Sequence, residues 1–121
     1  MKDNLNIKKF RGNGFMTISK YNTDGTKLFV ADKDSKIITL ISTLNNELVG
    51  TYNGHNGIIW FLDITKDSEY MISCSGDMYW ILWEVKTGNI IYKQLETGIP
   101  KFVLIEDDKI FIICDTFTKR T

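Results

Sequence analysis

Residues 54–84 read GHNGIIWFLDITKDSEYMISCSGDMYWILWE and contain the clearest structural signal in the chain. Short apolar runs rich in Ile, Tyr and Trp alternate with polar turn segments, without the sustained periodicity of an amphipathic helix. Residues of these types favour a pleated, half-buried backbone. The stretch therefore predicts several short β-strands joined by tight turns.

The same alternation extends along the chain and predicts an all-β protein. Turn pairs such as Asp24-Gly25 and Thr87-Gly88 separate the apolar runs, and Asp24-Gly25 supplies the positive-φ position that a tight turn needs. The predicted strands are Leu5–Phe10, Phe15–Tyr21, Leu28–Ala31, Ile37–Ile41, Glu47–Tyr52, Ile58–Ile64, Tyr70–Cys74, Trp80–Val85, Ile90–Leu95, Lys101–Ile105 and Ile110–Cys114.

A pattern recurs at the spacing expected of a repeat architecture. Asp34 is followed six residues later by Leu40, and Asp77, which lies 43 positions after Asp34, is followed six residues later by Trp83. Repeats of about 40–45 residues with four strands each form the blades of WD-type β-propellers. The spacing therefore predicts a WD-repeat β-propeller architecture.

The middle repeat carries the polar residues of a WD repeat at the expected positions. Gly54-His55 precedes its first strand, Ser73 lies in the second, Asp77 in the following turn and Trp83 in the third. We expect the side chains of four of these residues to form a buried hydrogen-bond relay that stabilises the blade: His55, Ser73, Asp77 and Trp83. Because a buried polar group without a partner costs about 1–3 kcal/mol, all members of such a relay are needed together.

The flanking repeats match this pattern less well. Repeat one has Leu40 where the tryptophan is expected and Arg11-Gly12-Asn13 in place of Gly-His, while repeat three has Thr97-Gly98 there. A further sign of a third copy is Cys114-Asp115, which aligns with Gly76-Asp77. Only the middle repeat is expected to form the full relay.

These repeats predict about two complete blades and part of a third. Blade one is expected at about residues 11–53, blade two at 54–96 and an incomplete blade three at 97–121. We expect residues 5–10 to be the strand that closes the ring, because closure removes exposed sheet edges. The chain is interpreted as a fragment of a seven-bladed propeller, and 121 residues alone are expected to fold poorly or to associate.

Composition narrows the classes of function. Fifteen basic and fifteen acidic residues give a net charge of zero, so no footprint for nucleic acid or an anionic membrane is predicted. Cys74 and Cys114 are expected to be buried, reduced core thiols. With one histidine and no CxxC motif, we predict no metal and no cofactor site. The N-terminus lacks the apolar core of a signal peptide, and a cytoplasmic protein is expected.

Histidine, serine and aspartate are also the residue types of a hydrolytic triad. An enzyme built on His55, Ser73 and Asp77 would need a serine that substrate can reach. The motif instead places the hydroxyl within a strand and the imidazole beneath a tryptophan, so the relay is predicted to be structural and no catalytic residue is predicted. Trp60 and Phe61 are likewise expected in the core.

Residues 47–60, ELVGTYNGHNGIIW, resemble a segment of one propeller family in which Gly-Thr-Tyr is followed by Gly-His and then by Gly and Trp. That family is the i subunit of eukaryotic translation initiation factor three, a seven-bladed WD propeller. The similarity covers nearly the whole chain and the first third of the family's length. Further similar positions are Lys20-Tyr21-Asn22, Gly25, Leu28-Phe29, Lys33-Asp34, Asp63, Trp83 and Thr87-Gly88.

The resemblance implies a non-catalytic scaffold subunit of the translation initiation factor three complex. Such a subunit binds other subunits of that complex and so supports recruitment of the small ribosomal subunit. The sequence does not indicate which residues contact these partners. A WD-repeat scaffold for signalling or trafficking complexes would carry the same blade motifs and is the alternative.

Overall fold

The computed structural model describes residues 16–32 and 36–115, and these residues form strands and turns without a helix. The predicted strand Leu5–Phe10 lies outside the described residues. Every other predicted strand is confirmed, with ends that shift by at most two residues. The strands are β1 (Met16–Tyr21), β2 (Lys27–Asp32), β3 (Ile37–Ser42), β4 (Glu47–Asn53), β5 (Ile59–Ile64), β6 (Tyr70–Ser75), β7 (Tyr79–Glu84), β8 (Ile90–Leu95), β9 (Ile99–Glu106) and β10 (Lys109–Asp115).

The strands form two four-stranded antiparallel meanders and one two-stranded antiparallel sheet, in chain order. The first sheet has the order β1-β2-β3-β4, the second β5-β6-β7-β8, and the third β10-β9. Strand β5 packs beside β1 on one side and β9 on the other, so the first strands of the three sheets are neighbours. Successive four-stranded meanders whose first strands lie side by side have the arrangement of consecutive propeller blades, and the third sheet matches the first two strands of a further blade.

The hairpin turns repeat along with the strands. Gly25 (φ 76°) and Ser68 (φ 63°) take the left-handed conformation at matching positions of the β1–β2 and β5–β6 turns. In both turns an aspartate, Asp24 or Asp67, accepts a hydrogen bond from the backbone N–H two residues ahead. Local turn chemistry therefore sets the strand spacing.

Two apolar clusters fill the spaces between neighbouring sheets. Within β7, Ile81 and Trp83 belong to the first cluster, whereas Trp80 and Leu82 pack against the second. Burial of both strand faces explains the uninterrupted apolar run at 79–82. The first cluster contains Phe29, Ala31, Ile38, Leu40, Tyr52, Ile59, Leu62, Ile64, Met71, Ile81, Trp83 and Val85, and the second is built on Ile72, Cys74 and Val103.

The strand register corrects one sequence alignment. Four residues separate β2 from β3, whereas three residues separate β6 from β7. Trp83 pairs with Met71 in the second sheet, and Ile41 pairs with Leu28 in the first. Ile41 therefore occupies the position that matches the tryptophan, and the assignment of that position to Leu40 is wrong by one residue.

The third repeat is also displaced from its predicted alignment. Cys114 pairs with Pro100 beside the register shift in β9, as Ser75 pairs with Ile59 beside the register shift in β5. Cys114 thus corresponds to Ser75, and Asp115, the next residue, corresponds to Gly76 and lies within a strand. The predicted match of Asp115 with Asp77, which lies in a turn, is wrong.

The two cysteines differ in their surroundings, and both are free thiols. Cys74 is fully buried in β6, and burial raises the pKa of its thiol to about 12. Cys114 pairs with Pro100 next to a β-bulge and is partly exposed, although burial also raises its pKa. The expectation of a buried core thiol is confirmed for Cys74 and wrong for Cys114.

Candidate functional site

Four side chains of the second sheet and the loop before it, here called the relay, form a continuous chain of hydrogen bonds. Nδ1 of His55 lies 3.1 Å from Oδ2 of Asp77. Nε2 of His55 lies 2.7 Å from Oγ of Ser73, and the indole N–H of Trp83 donates to the same oxygen at 2.8 Å. The structure therefore brings together all four residues that the sequence motif selected.

The chemistry of the groups sets the direction of these hydrogen bonds. The ionised carboxylate of Asp77 only accepts, so the ring nitrogen that faces it, Nδ1 of His55, carries a proton. Nε2 then accepts, and the hydroxyl of Ser73 donates to it. The indole N–H of Trp83 can only donate and uses a lone pair of the serine oxygen. Each buried polar atom of the relay thus has a partner, as buried polar groups require.

Asp77 ties the β6–β7 turn to the loop that precedes β5. Besides His55, its carboxylate accepts hydrogen bonds from the backbone N–H of Asn56 at 2.8 Å and of Tyr79 at 2.9 Å. Burial alone raises the pKa of this carboxyl, but the hydrogen bonds from His55, Asn56 and Tyr79 outweigh burial and lower the pKa to about 2. The group is therefore ionised throughout the neutral range.

Two glycines next to the relay are required by close contacts. A Cβ on Gly54 would lie 2.9 Å from Cη2 of Trp83 and 3.0 Å from Cδ1 of Ile90. A Cβ on Gly57 would lie 2.7 Å from the backbone nitrogen of Asp77. The glycine of the Gly-His pair thus leaves room for the tryptophan, and Gly57 lets the loop approach the aspartate turn.

The first sheet has apolar residues at the two relay positions that register identifies. Val30 pairs with Ser19 as Ser73 pairs with Leu62, and Ile41 matches Trp83. Replacing both partners of a buried hydrogen bond by apolar groups leaves no unpaired polar atom and is nearly neutral. The first sheet therefore needs no such hydrogen bond between its second and third strands.

Ser73, His55 and Asp77 have the connectivity of a hydrolytic triad, but the hydroxyl is closed off. Ser73 is fully buried, and its oxygen is already bonded to the indole of Trp83. Within residues 16–32 and 36–115, no group of three His, Cys, Asp or Glu side chains is placed to hold a metal ion. No helix among these residues is long and apolar enough to cross a membrane.

Two polar ties between sheets were not found from the sequence. Asp63 in β5 pairs with Nζ of Lys20 in β1 at 3.0 Å and accepts the backbone N–H of Ile105 in β9 at 3.0 Å. The hydroxyl of Tyr52 in β4 donates to the carbonyl oxygen of Val85 at 2.8 Å. The sequence signal for the first tie is a single carboxylate within an otherwise apolar strand, whereas Tyr52 stands between Thr51 and Asn53 and gives no comparable signal.

Trp60 lies outside the core, contrary to expectation. It is 37% exposed and belongs to neither apolar cluster, whereas Phe61 packs against the second cluster as predicted. The pairing moves from Phe61 with Cys74 to Ile59 with Ser75, so Trp60 is the extra residue of a β-bulge. A bulge of this kind turns its side chain away from the regular alternation.

The four-stranded meanders and the relay are the features of a WD-repeat β-propeller, and comparison with known proteins agrees with this class. A family model described as WD domain, G-beta repeat matches residues 46–84, which include the whole relay. The crystal structure of the β-propeller domain of Cps50 (Swd1) from Myceliophteria thermophila is similar with a TM-score of 0.75 at 18% identity, over 83% of this chain and 32% of that chain. Residues 46–84 thus match a WD repeat, and the described sheets have the fold of β-propeller blades.

Within this class the chain is similar to proteins named eukaryotic translation initiation factor 3 subunit I. The relative from Schizosaccharomyces pombe is 44% identical over 94 residues, which are 77% of this chain and 28% of the relative. The relative from Neurospora crassa is 42% identical over 93 residues, 76% of this chain and 27% of the relative. The relative from Brugia malayi is 41% identical over 76 residues, 63% of this chain and 23% of the relative. The resemblance inferred from residues 47–60 is confirmed, and the chain spans about a quarter of the length of these relatives.

Proposed function

We propose that this chain contributes the first blades of a non-catalytic scaffold subunit of the translation initiation factor three complex, acting in the cytoplasm. In this proposal a seven-bladed ring binds other subunits of the complex and so supports recruitment of the small ribosomal subunit. The observation that carries the proposal is the 44% identity with the Schizosaccharomyces pombe subunit I over 94 residues. A preformed β-sheet surface suits this role, because little conformational entropy is lost on binding.

In the proposed function, the relay stabilises the blade and does not contact the partner. Its burial and complete hydrogen bonding support a structural role. Replacement of His55 by Ala is therefore expected to lower thermal stability and partner binding together. Lost binding at unchanged stability would contradict a structural role.

The proposal is tested by purifying the full-length protein from its own cells through an affinity tag and identifying its partners by mass spectrometry. We expect to recover initiation factor three subunits and small-subunit ribosomal proteins. The factor subunits should remain bound when the salt concentration of the wash is raised, whereas the ribosomal proteins should be released. Recovery of signalling or trafficking proteins without factor subunits would instead favour the alternative scaffold role.

A separate measurement tests the non-catalytic assignment. A fluorophosphonate probe reacts with serine nucleophiles that solvent can reach, and we expect it to leave Ser73 unlabelled in the folded protein because this residue is fully buried. As a control, the denatured protein is treated with a general acylating reagent. Detection of the modified peptide that contains Ser73 in this sample shows that the modification would be seen if it occurred. Labelling of Ser73 in the native state would contradict the assignment.

A further inference from the structure

Two Asn-Gly pairs lie at the connection between the first and second sheets. Residues 53–57 read NGHNG, so Asn53-Gly54 and Asn56-Gly57 stand on either side of the relay histidine, His55. In such a pair the backbone nitrogen of the second residue can attack the side-chain amide of the first, because glycine has no side chain to obstruct the approach and little resistance to backbone rotation. The segment that carries His55 thus contains two candidate positions for deamidation.

The first pair is held on both sides. Asn53 is the last residue of β4, where it pairs with Ile37, and its side-chain amide donates to the hydroxyl of Thr51 at 3.3 Å. The carbonyl oxygen of Gly54 accepts a hydrogen bond from Nζ of Lys93 at 3.0 Å. Attack on the side chain requires rotation about the bond between Cα and the carbonyl carbon of the asparagine. Strand pairing opposes this rotation, so Asn53 reacts only after local opening of the strand end.

The second pair is held more loosely. Asn56 lies in the loop between β4 and β5 and is exposed, and its side-chain amide has no hydrogen-bond partner among the described residues. Its backbone N–H donates to Oδ2 of Asp77 at 2.8 Å. The two sheets that flank this loop each have all four strands, so the exposure of Asn56 does not arise from the open face of the third sheet. The Asn56 side chain is therefore able to turn toward the nitrogen of Gly57.

We propose that Asn56 is a site of spontaneous deamidation. The backbone nitrogen of Gly57 gives its proton to solvent and forms a bond to Cγ of Asn56, while the bond from Cγ to the side-chain nitrogen breaks and that nitrogen leaves as ammonia after taking a proton from solvent. Water then adds to one of the two carbonyl carbons of the succinimide ring and breaks the adjoining carbon–nitrogen bond. The product is aspartate or isoaspartate at position 56, and water is the only co-reactant.

Both products act on the relay through Asp77. Aspartate at position 56 brings a second carboxylate toward that of Asp77, which already accepts the N–H of residue 56, and like charges repel. Isoaspartate adds one carbon atom to the backbone before Gly57, at a place where a Cβ on Gly57 would lie 2.7 Å from the backbone nitrogen of Asp77. Because the loop has no room there, the longer backbone moves away from the β6–β7 turn and weakens the hydrogen bond between His55 and Asp77. Deamidation therefore lowers the stability of the second sheet.

Incubation of the full-length protein at physiological temperature and pH, in water enriched in heavy oxygen, tests this inference by peptide mapping with mass spectrometry. We expect aspartate and isoaspartate at position 56, each with one heavy oxygen atom, and a rate at least roughly tenfold above that at Asn53, which must first lose its strand pairing. In urea the two asparagines should react at similar rates. Asn56 that stays intact while the unfolded protein reacts to completion, or native rates at Asn53 that equal those at Asn56, would overturn the site.

The effect on the relay is measured on the incubated protein, with Asn56→Gln as the resistant variant. Glutamine retains the amide, but its longer side chain forms the corresponding ring far more slowly. The unsubstituted protein should lose thermal unfolding midpoint in proportion to the modified fraction, whereas Asn56→Gln should keep its midpoint. The matched control Asn53→Gln should lose midpoint as the unsubstituted protein does. An unchanged midpoint after modification of Asn56, or an equal loss in Asn56→Gln, would overturn the link between this site and the relay.

Discussion

Ser73 is the residue on which the relay depends, because one hydroxyl group serves two neighbours. It donates to Nε2 of His55 and accepts from the indole N–H of Trp83, and all three side chains are buried. Removing this group leaves two buried polar atoms without partners. The cost of each unpaired atom exceeds the net contribution of an average hydrogen bond.

Ser73→Ala is therefore expected to lower the free energy of unfolding of the full-length protein by about 2–4 kcal/mol, measured in urea. Ser19→Ala is the matched control, because Ser19 is an exposed serine at a strand position and its loss should cost less than about 0.5 kcal/mol. Trp83→Phe in the Ser73→Ala background should cost less than Trp83→Phe alone, because the indole N–H has already lost its acceptor. Strict additivity of the two changes would contradict the relay.

The ionised state of Asp77 makes a second prediction at this scale. Its pKa in the folded protein is about 2, below the ordinary value of 3.8, so it stabilises the fold above pH ~4 and this contribution is lost as the pH falls toward 2. The contribution is at most about 2 kcal/mol. Asp77→Asn should be less stable near neutral pH and should show a shallower loss of stability between pH 4 and pH 2. Equal slopes for the two proteins would contradict the lowered pKa.

Strand positions were predictable at the scale of the element, whereas strand register was not. Asp-Gly and Thr-Gly turns mark strand ends by local backbone chemistry, and the strands fall between them. The match of Ile41, and not Leu40, with Trp83 depends on one additional residue between the second and third strands of the first sheet. The bulge at Trp60 depends on how the flanking residues pair with Cys74 and Ser75 of β6, which are distant in sequence, so no local pattern indicates it.

Asp63 joins three neighbouring first strands through one carboxylate. Its link to Lys20 is an ion pair with the lysine side chain 35% exposed, which contributes only about 0.2–1 kcal/mol. Its link to the backbone N–H of Ile105 is different in kind, because that N–H points away from its own sheet toward β5. The acceptor oxygen is therefore expected to matter more than the charge.

Asp63→Asn and Asp63→Ala separate these two contributions. The amide retains an acceptor for Ile105 and should cost less than about 1 kcal/mol of unfolding free energy, similar to Lys20→Met. The alanine leaves the backbone N–H unpaired and should cost about 2 kcal/mol. Urea unfolding of the three full-length variants gives the comparison. If Asp63→Asn and Asp63→Ala lowered the unfolding free energy equally, the contribution of Asp63 would come from its charge alone.

At the scale of the whole molecule, the sheets depend on their neighbours for burial. The second sheet is covered on both faces and contains the complete relay. The third sheet has one face against the second sheet, whereas Phe111 and Ile113 on its other face are 47% and 58% exposed. Among the described residues, β10 pairs only with β9. Each blade of a propeller needs a neighbour on both faces, so this face is complementary to a further blade.

Residues 1–121 produced alone are therefore expected to associate, with elution ahead of a 14.0 kDa monomer in size-exclusion chromatography. Phe111→Lys together with Ile113→Lys should shift this chain toward monomer, because charge on an exposed apolar face opposes association. In the full-length protein the same two changes should lower the unfolding midpoint, because there the face is covered. A monodisperse 121-residue monomer that unfolds cooperatively, or lysines that leave the full-length protein unaffected, would show that this face needs no covering blade.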